Sequence, residues 1–370
     1  MQLTGTPFLI VTIVLVPLSV AAVLLLWGRV RGPKPVQVLS RLVMILFCQV
    51  TAVTMVFVMV NNANLIYGNW DDLLGTGNHV RSVPQVQAEG PGHDAKSEPK
   101  VLQQFKGVDD PMVPKDVQRT DLKGQLSGVD GEVLVWLPPQ YNEPAYKDRT
   151  FPVVELIPGF PGSSSTWYGT LKVSEQLKPL MKEGKVAPFI LVSPRTLLLG
   201  RSTDTGCADV PGKVNADTWL SRDVPKMVLD NFRADTSADR WAVAGYSAGG
   251  HCAAKLALEH PDRYRAGISL SGYNDPAAEA DSLTAKNPQL REASNPLNIL
   301  RKAAQPPKTS LYVSGNRGDG YEGGLALQQA AKAPTNVTVV ETTGPHAVDV
   351  WKPLLPKAFT WLTGIIPAQH

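Results

Sequence analysis

Arg240-Trp241-Ala242-Val243-Ala244-Gly245-Tyr246-Ser247-Ala248-Gly249-Gly250 is the stretch on which the reading of this 370-residue chain turns. Its first half reads as a short buried strand, and Gly250 to Glu259 reads as the helix that follows. Between them lies G-x-S-x-G, the pattern of a nucleophile elbow, in which a strand bends sharply into a helix and leaves a serine hydroxyl exposed at the bend. Side chains at 245 and 249 would collide with the neighbouring strand and helix, so both positions call for glycine. The helix N-terminus then aims its free N–H groups and its dipole at negative charge forming near Ser247.

A serine hydroxyl needs a base, and the base needs an acid to orient it. The chain has six histidines, so the base can be sought by elimination. His79 and His93 fall in a polar linker, His370 is the last residue, and His251 and His260 belong to the elbow helix and its far end. His346 remains, in Thr342-Thr343-Gly344-Pro345-His346 between the last expected strand and a helix. The acid of such a set lies between serine and histidine along the chain. Asp319, in the glycine-flanked loop Gly315-Asn316-Arg317-Gly318-Asp319-Gly320, is the first choice; Glu322 is its competitor, and Asp275 a weaker one. An Asp-Gly pair is also ordinary turn chemistry. Two N–H donors must face the oxyanion. The backbone of Ala248 supplies one, and Phe160 in Pro158-Gly159-Phe160-Pro161-Gly162 supplies the other, since Pro161 has no N–H to give.

Working outward, strands alternate with helices from about Val117. The expected strands are Arg119–Ser127 and Gly131–Leu137 as a hairpin, then Phe151–Ile157, Ala187–Ser193, the elbow strand, Ala266–Leu270, Ser310–Ser314 and Asn336–Glu341. Helices are expected at Leu171–Glu183, Thr218–Phe232 and Val348–Thr363. This alternation implies an α/β fold with a mostly parallel sheet covered on both faces, whose functional residues gather at the carboxyl ends of the strands.

The N-terminal part differs. Phe8–Trp27 carries no charge, and Leu42–Val60 is interrupted only by Gln49 and two threonines. Each run is about long enough to cross a bilayer as a helix, which takes roughly 20 residues. Arg29, Arg31, Lys34 and Arg41 lie between the runs, whereas Met1–Pro7 has no charged side chain and Asp71 and Asp72 follow the second run. The positive-inside rule puts that loop in the cytoplasm and both termini outside, giving a multi-pass anchor with an extracytoplasmic domain. A cleaved signal peptide fits less well, because a basic n-region is absent and the apolar run is long. The expected organisation is a transmembrane hairpin over 1–60, a linker or stalk over 61–106, and a catalytic domain over 107–370.

Net charge is +3, which gives no case for a nucleic-acid partner. Of three cysteines, Cys48 lies in the second apolar run, whereas Cys207 and Cys252 could pair in an oxidising compartment and tether the 197–216 loop over the active site, or stay two unlinked thiols, one exposed and one buried. No metal-ligand spacing and no cofactor motif is present in this reading. Trp167, Tyr168 and Trp351 are candidates to line an acyl pocket, although aromatics near loops more often serve packing, and Asn274–Lys302 reads as a surface insertion in preference to a lid.

Gly245-Tyr246-Ser247-Ala248-Gly249-Gly250, the run Ala257-Leu258-Glu259-His260-Pro261-Asp262-Arg263-Tyr264, and Leu270-Ser271-Gly272-Tyr273 together resemble the α/β-hydrolase superfamily. They are most similar to its branch of esterase D-type enzymes and mycolyltransferases, and the two-span anchor resembles membrane-tethered actinobacterial members. The resemblance covers about 117–363 and implies a serine esterase or acyltransferase acting on an acyl ester of a small molecule, lipid or glycolipid. The HGGG oxyanion motif of lipases is replaced by Pro158-Gly159-Phe160-Pro161-Gly162. Three functions stay open: ester hydrolysis, acyl transfer to a sugar or lipid hydroxyl, and a non-catalytic binding module, with peptidase activity as a minor variant of the first.

Overall fold

The computed structural model describes residues 2–85, 100–200 and 203–366. His93, His370 and the 86–99 part of the expected stalk lie outside them.

Two long helices open the chain, α1 (Thr6–Leu26) and α2 (Lys34–Asn64). They run antiparallel: Gly5 meets Asn62, Ser19 Oγ lies 3.0 Å from Thr51 Oγ1, and Arg41 sits over the Trp27 ring. The hydroxyls of Thr12, Ser19 and Thr51 each donate to a carbonyl three residues back, so these polar groups are satisfied within the helix pair. Large apolar side chains face outward along both helices, Leu24, Val38 and Val53 among them. α2 begins earlier than the apolar run because Lys34–Arg41 are also helical.

A short helix α3 (Trp70–Leu74) follows, capped by Asn69. The residues up to 85 do not form a free stalk. Asp72 is buried and accepts from Arg195 at 2.7 Å; His79 bonds the backbone of Asp130 and Leu198; Val80 bridges Val129. Burial of Leu65 and of the Asp72–Arg195 pair ties this segment to the catalytic domain, a link that its polar composition did not signal.

Nine strands form the main sheet. They are β1 (Lys106–Gly107), β2 (Val117–Lys123), β3 (Asp130–Trp136), β4 (Val153–Ile157), β5 (Ile190–Pro194), β8 (Trp241–Tyr246), β9 (Ala266–Leu270), β10 (Ser310–Gly315) and β11 (Asn336–Glu341). A separate ribbon pairs β6 (Asp209–Val210) with β7 (Val214–Asn215). The sheet order is β1-β2-β3-β5-β4-β8-β9-β10-β11, antiparallel from β1 to β5 and parallel thereafter. The central strands are buried on both faces and read as continuous apolar runs, as parallel strands under two helical layers must.

On one face Trp241, Val243 and Val153 pack with Met227 of α7 (Val224–Asn231), Leu256 of α8 (Ala248–Glu259) and Leu327 of α11 (Tyr321–Ala330). On the other, Val154, Leu156 and Ala244 pack with Leu177 of α5 (Val173–Lys182) and Phe359 of α13 (Leu355–Ile365). The helix expected at Thr218–Phe232 is divided into α6 (Ala216–Thr218), a π-helical turn at Trp219–Asp223 and α7, because Pro225 has no N–H to continue the ladder. Proline likewise divides the last helix: α12 (Val348–Trp351) and α13 flank a 3-10 turn holding Pro353. The 274–302 stretch forms α9 (Pro288–Ala293) and α10 (Pro296–Lys302), and Leu297 and Leu300 pack it onto the core away from Ser247.

Candidate active site

The elbow sits between β8 and α8. Ser247 has φ 56° and ψ −127°, a backbone that L-residues rarely adopt, and its strain persists because the surrounding structure over-determines it. A Cβ on Gly245 would lie 1.9 Å from the Gly249 carbonyl oxygen, and one on Gly249 would lie 2.2 Å from that of Ile157. Both glycines are therefore sterically required.

The loops after β8, β10 and β11 converge at one edge of the sheet. His346 Nε2 is 2.8 Å from Ser247 Oγ, and His346 Nδ1 is 2.8 Å from Asp319 Oδ1. The Asn316 side-chain amide donates to the Gly344 carbonyl, and Thr342 N–H donates to Gly315 O at 2.8 Å, so the acid and base loops are laced together. Behind the imidazole, Trp351 meets His346 edge to face at 4.9 Å, stacks on Tyr246 and donates to Ser271 Oγ at 2.9 Å. The His346 side chain is 44% exposed and that of Asp319 26%, which leaves the arrangement open to water.

Glu322 and Asp275 are held elsewhere. The Gly318 N–H donates to Glu322 at 2.9 Å and holds its carboxyl below the usual range. Asp275 caps the turn at Ala277 and pairs with Arg291, which lowers its pKa likewise. His251 is buried, its Nδ1 2.9 Å from the Tyr273 carbonyl, and burial pushes its pKa down to about 4. His260 bonds Asp217.

Ser247, His346, Phe160 and Trp351 line a cavity of about 260 Å³. Ala248 opens α8, so its N–H belongs to the first turn, whose donors have no partner inside the helix. Phe160, on the loop after β4, is the other expected oxyanion donor. Trp167 and Tyr168, in α4 (Thr166–Gly169), do not line the cavity; they are fully buried, Tyr168 donating to Leu191 O at 2.8 Å and Trp167 packing against the Tyr246 ring. Asn64 and Ile66 do line it, and the sequence carried no sign of this, since they follow an apolar run far from the elbow along the chain.

Cys207 and Cys252 form a disulfide with Cα atoms 5.7 Å apart. It does not draw the loop over Ser247. Both cysteines are buried, Cys252 within α8 and Cys207 against it, and none of the loop's described residues lines the cavity.

Residues 126–362 match the "Putative esterase" family. A protein of Corynebacterium glutamicum, itself uncharacterised, is 25% identical over 252 residues, 64% of this chain; the chain spans 58% of that relative's length. Among solved structures, a ferulic acid esterase aligns with TM-score 0.58 at 19% identity, covering 68% of this chain and 98% of its own. An S-formylglutathione hydrolase from Agrobacterium tumefaciens aligns at 0.54 with 13% identity, over 72% and 99% of the two chains. A fluorophosphonate-binding serine hydrolase of Staphylococcus aureus gives 0.53 at 16% identity, over 68% and 98%. At these identities the three share the fold.

Proposed function

This chain belongs to the "Putative esterase" family and has an α/β-hydrolase fold, and from that premise we propose that it is a membrane-anchored, outward-facing serine esterase using Ser247, His346 and Asp319. The observation that carries the reading is the pair of 2.8 Å hydrogen bonds running from Ser247 Oγ through the imidazole to Asp319.

In this mechanism Ser247 Oγ attacks the ester carbonyl while His346 Nε2 takes its proton. The N–H groups of Ala248 and Phe160 receive the developing oxyanion, a contact worth about a hundred- to a thousand-fold in turnover per donor. Collapse breaks the acyl–oxygen bond, and His346 returns the proton to the departing alcohol. Water then attacks the acyl-serine, giving its proton to His346, and Ser247 is regenerated as the acid leaves. Asp319 stays ionised throughout and keeps the imidazole in the required tautomer.

Solvent access to His346 favours water as the acceptor over a sugar or lipid hydroxyl. The anchor reading is supported by the exposed apolar surface of α1 and α2 and by the cationic side chains Arg29, Arg31, Lys34 and Arg41 at their joining end. Retention of α1 is supported by Leu3, which is buried, and by Gln2, which donates to Asp109 at 2.9 Å.

The test is turnover of a short-chain nitrophenyl ester by the full-length chain in detergent, with and without glycerol or a sugar. Ser247-dependent release of free acid, indifferent to the acceptor, is expected. An acylated acceptor that grows with its concentration would establish acyl transfer instead. Surface protease access in spheroplasts checks the side on which the domain lies.

A further inference from the structure

The cavity at Ser247 is not made by the sheet and its loops alone. Asn64 closes α2, Ile66 follows two residues later, and both face the cavity that holds Ser247 and His346. Between them Leu65 is fully buried with φ 50°, and its carbonyl accepts from Ser163 Oγ at 2.6 Å and Thr166 Oγ1 at 3.1 Å. Thr170 Oγ1 donates to the Ala63 carbonyl at 3.2 Å. These three hydroxyls follow directly on the loop that carries Phe160, so the end of α2 is seated on the same loop that shapes the site. A Cβ on Gly169 would fall 2.4 Å from Leu65 Cδ1, which makes glycine a condition of the contact. Asn61 locks the turn, donating to Tyr67 O at 3.0 Å and accepting from Tyr67 N–H at 2.9 Å.

The height of this seat above the membrane follows from helix geometry. The apolar run of α2 ends at Val60, and Asn64 lies four residues on, about 6 Å at a rise of ~1.5 Å per residue. A bilayer about 40–45 Å thick over a hydrocarbon core of about 30 Å leaves roughly 5–8 Å of headgroup layer on each side. With Leu42–Val60 in the core, the cavity mouth therefore stands at headgroup depth. Phe8 and Trp70 pack edge to face at 5.3 Å near this end, with Trp70 exposed, as aromatic side chains at a membrane interface do. The cavity itself, about 260 Å³, falls below the roughly 300–1,000 Å³ usual for small-ligand sites. It holds an ester group and the start of a chain, and the rest of a long chain must lie outside.

We infer that the substrate is an acyl ester resident in the leaflet on the catalytic side, presented to Ser247 past Asn64 and Ile66 while its chain remains in the bilayer; this rests on the anchored-esterase reading. Drawing the chain through water would expose its whole apolar surface, and entry at headgroup depth avoids that.

The experiment uses the full chain reconstituted in phosphatidylcholine–phosphatidylglycerol vesicles. Dioleoylglycerol is placed either in the same vesicles or in separate ones, and nitrophenyl acetate in the aqueous phase serves as the soluble comparison. Oleate release is expected from the shared bilayer and only weakly from the separate one. Ile66→Trp is expected to lower the ratio of dioleoylglycerol to nitrophenyl acetate turnover about tenfold or more, the scale of a changed apolar contact in a specificity pocket. Equal release from shared and separate vesicles would overturn the inference, as would cleavage of nitrophenyl acetate with no release of oleate. Loss of Ser247-dependent turnover on both esters would instead remove the esterase reading beneath it. The wild-type comparison stands even where the Ile66 variant fails to fold.

Discussion

Helix α8 carries a carboxylate–imidazole pair at each end, and the two do different work. At its N-terminus Asp319 holds His346 at 2.8 Å; near its C-terminus Asp217 holds His260 at 2.7 Å. The first pair is open to water, and its free nitrogen meets the hydroxyl of Ser247. The second, with His260 half-buried, gathers around the buried Lys255, whose ammonium lies 2.6 Å from Asp217 and 2.5 Å from Glu259 and donates to the Cys207 carbonyl at 3.0 Å. Asp217, Glu259 and His260 gather closely enough to suit a cation, and the lysine occupies that role. On the proposed reading the same hydrogen bond orients a base where a nucleophile is at hand, and it fixes charge where a buried cation needs partners. Local surroundings, not the pair itself, decide its use.

The sharpest way to break this contrast is to disable each pair. Ser247→Ala should remove covalent labelling by a fluorophosphonate and lower turnover by about 10⁴-fold or more, and Asp319→Asn should cost about 10⁴-fold by favouring the wrong tautomer. Near-normal turnover in Asp319→Asn would dissolve the distinction. Asp217→Asn should do the reverse. Activity per folded molecule should hold within a small factor, while stability in a denaturant titration falls by about 3 kcal/mol, since Lys255 and His260 lose their shared carboxylate.

A smaller effect is expected from the disulfide beside the buried pair. Paired replacement of Cys207 and Cys252 by serine should cost about 2–4 kcal/mol, read as a lowered Tm. Intact turnover in that variant would place the bridge in the structural half of the comparison, and two free thiols by mass analysis without reductant would remove it altogether.

The smallest effect is a slope with pH. Burial opposes a charge on His260, but the hydrogen bond and charge of Asp217 prevail and raise its pKa. The resulting stability is complete below about 6.5, the unfolded value, and is lost as pH rises through the raised pKa. Glu155 adds the same sign: burial pushes its carboxyl up to about 8, so the fold keeps a proton that the unfolded chain has shed. Its partner Tyr264 has one hydroxyl hydrogen and two acceptors within reach, Glu155 and the Leu220 carbonyl, so a protonated Glu155 completes the set. His251, whose burial pushes its pKa down to about 4, opposes this below about 6.5, so Tm should decline from neutral to mildly alkaline pH, and His260→Gln or Glu155→Gln should flatten that part of the curve. A curve unchanged in both variants would assign the slope to other groups.

The elbow and the residues that meet at it were legible because each has a local signature. Glycines at 245 and 249 mark the bend, strand ends mark the loops that hold Asp319 and His346, and the other histidines lie in places that rule them out. Choosing between Asp319 and Glu322 needed the fold, because the turn at Gly318 sends one carboxylate to the imidazole and folds the other back onto the backbone. For Trp167 and Tyr168 the choice between pocket lining and packing needed the fold, since a four-residue helix shows no periodicity from which to tell its inner side. The docking of 61–85 left no trace in the pattern, because Leu65 and Ser163, or Asp72 and Arg195, are joined only by tertiary contact.

That docking has a practical consequence for where this protein can be divided. Composition suggests a cut near Lys106, yet such a fragment would keep Arg195 in its buried place without Asp72, and would leave Gly169 facing a void where Leu65 had been. Loss of one partner from a buried ion pair typically costs about 3–5 kcal/mol. The smallest faithful unit therefore begins inside α2, and exchanging everything before Lys106 for another N-terminal segment would not be a neutral substitution. The end of α2 and the domain that holds Ser247 are here a single part.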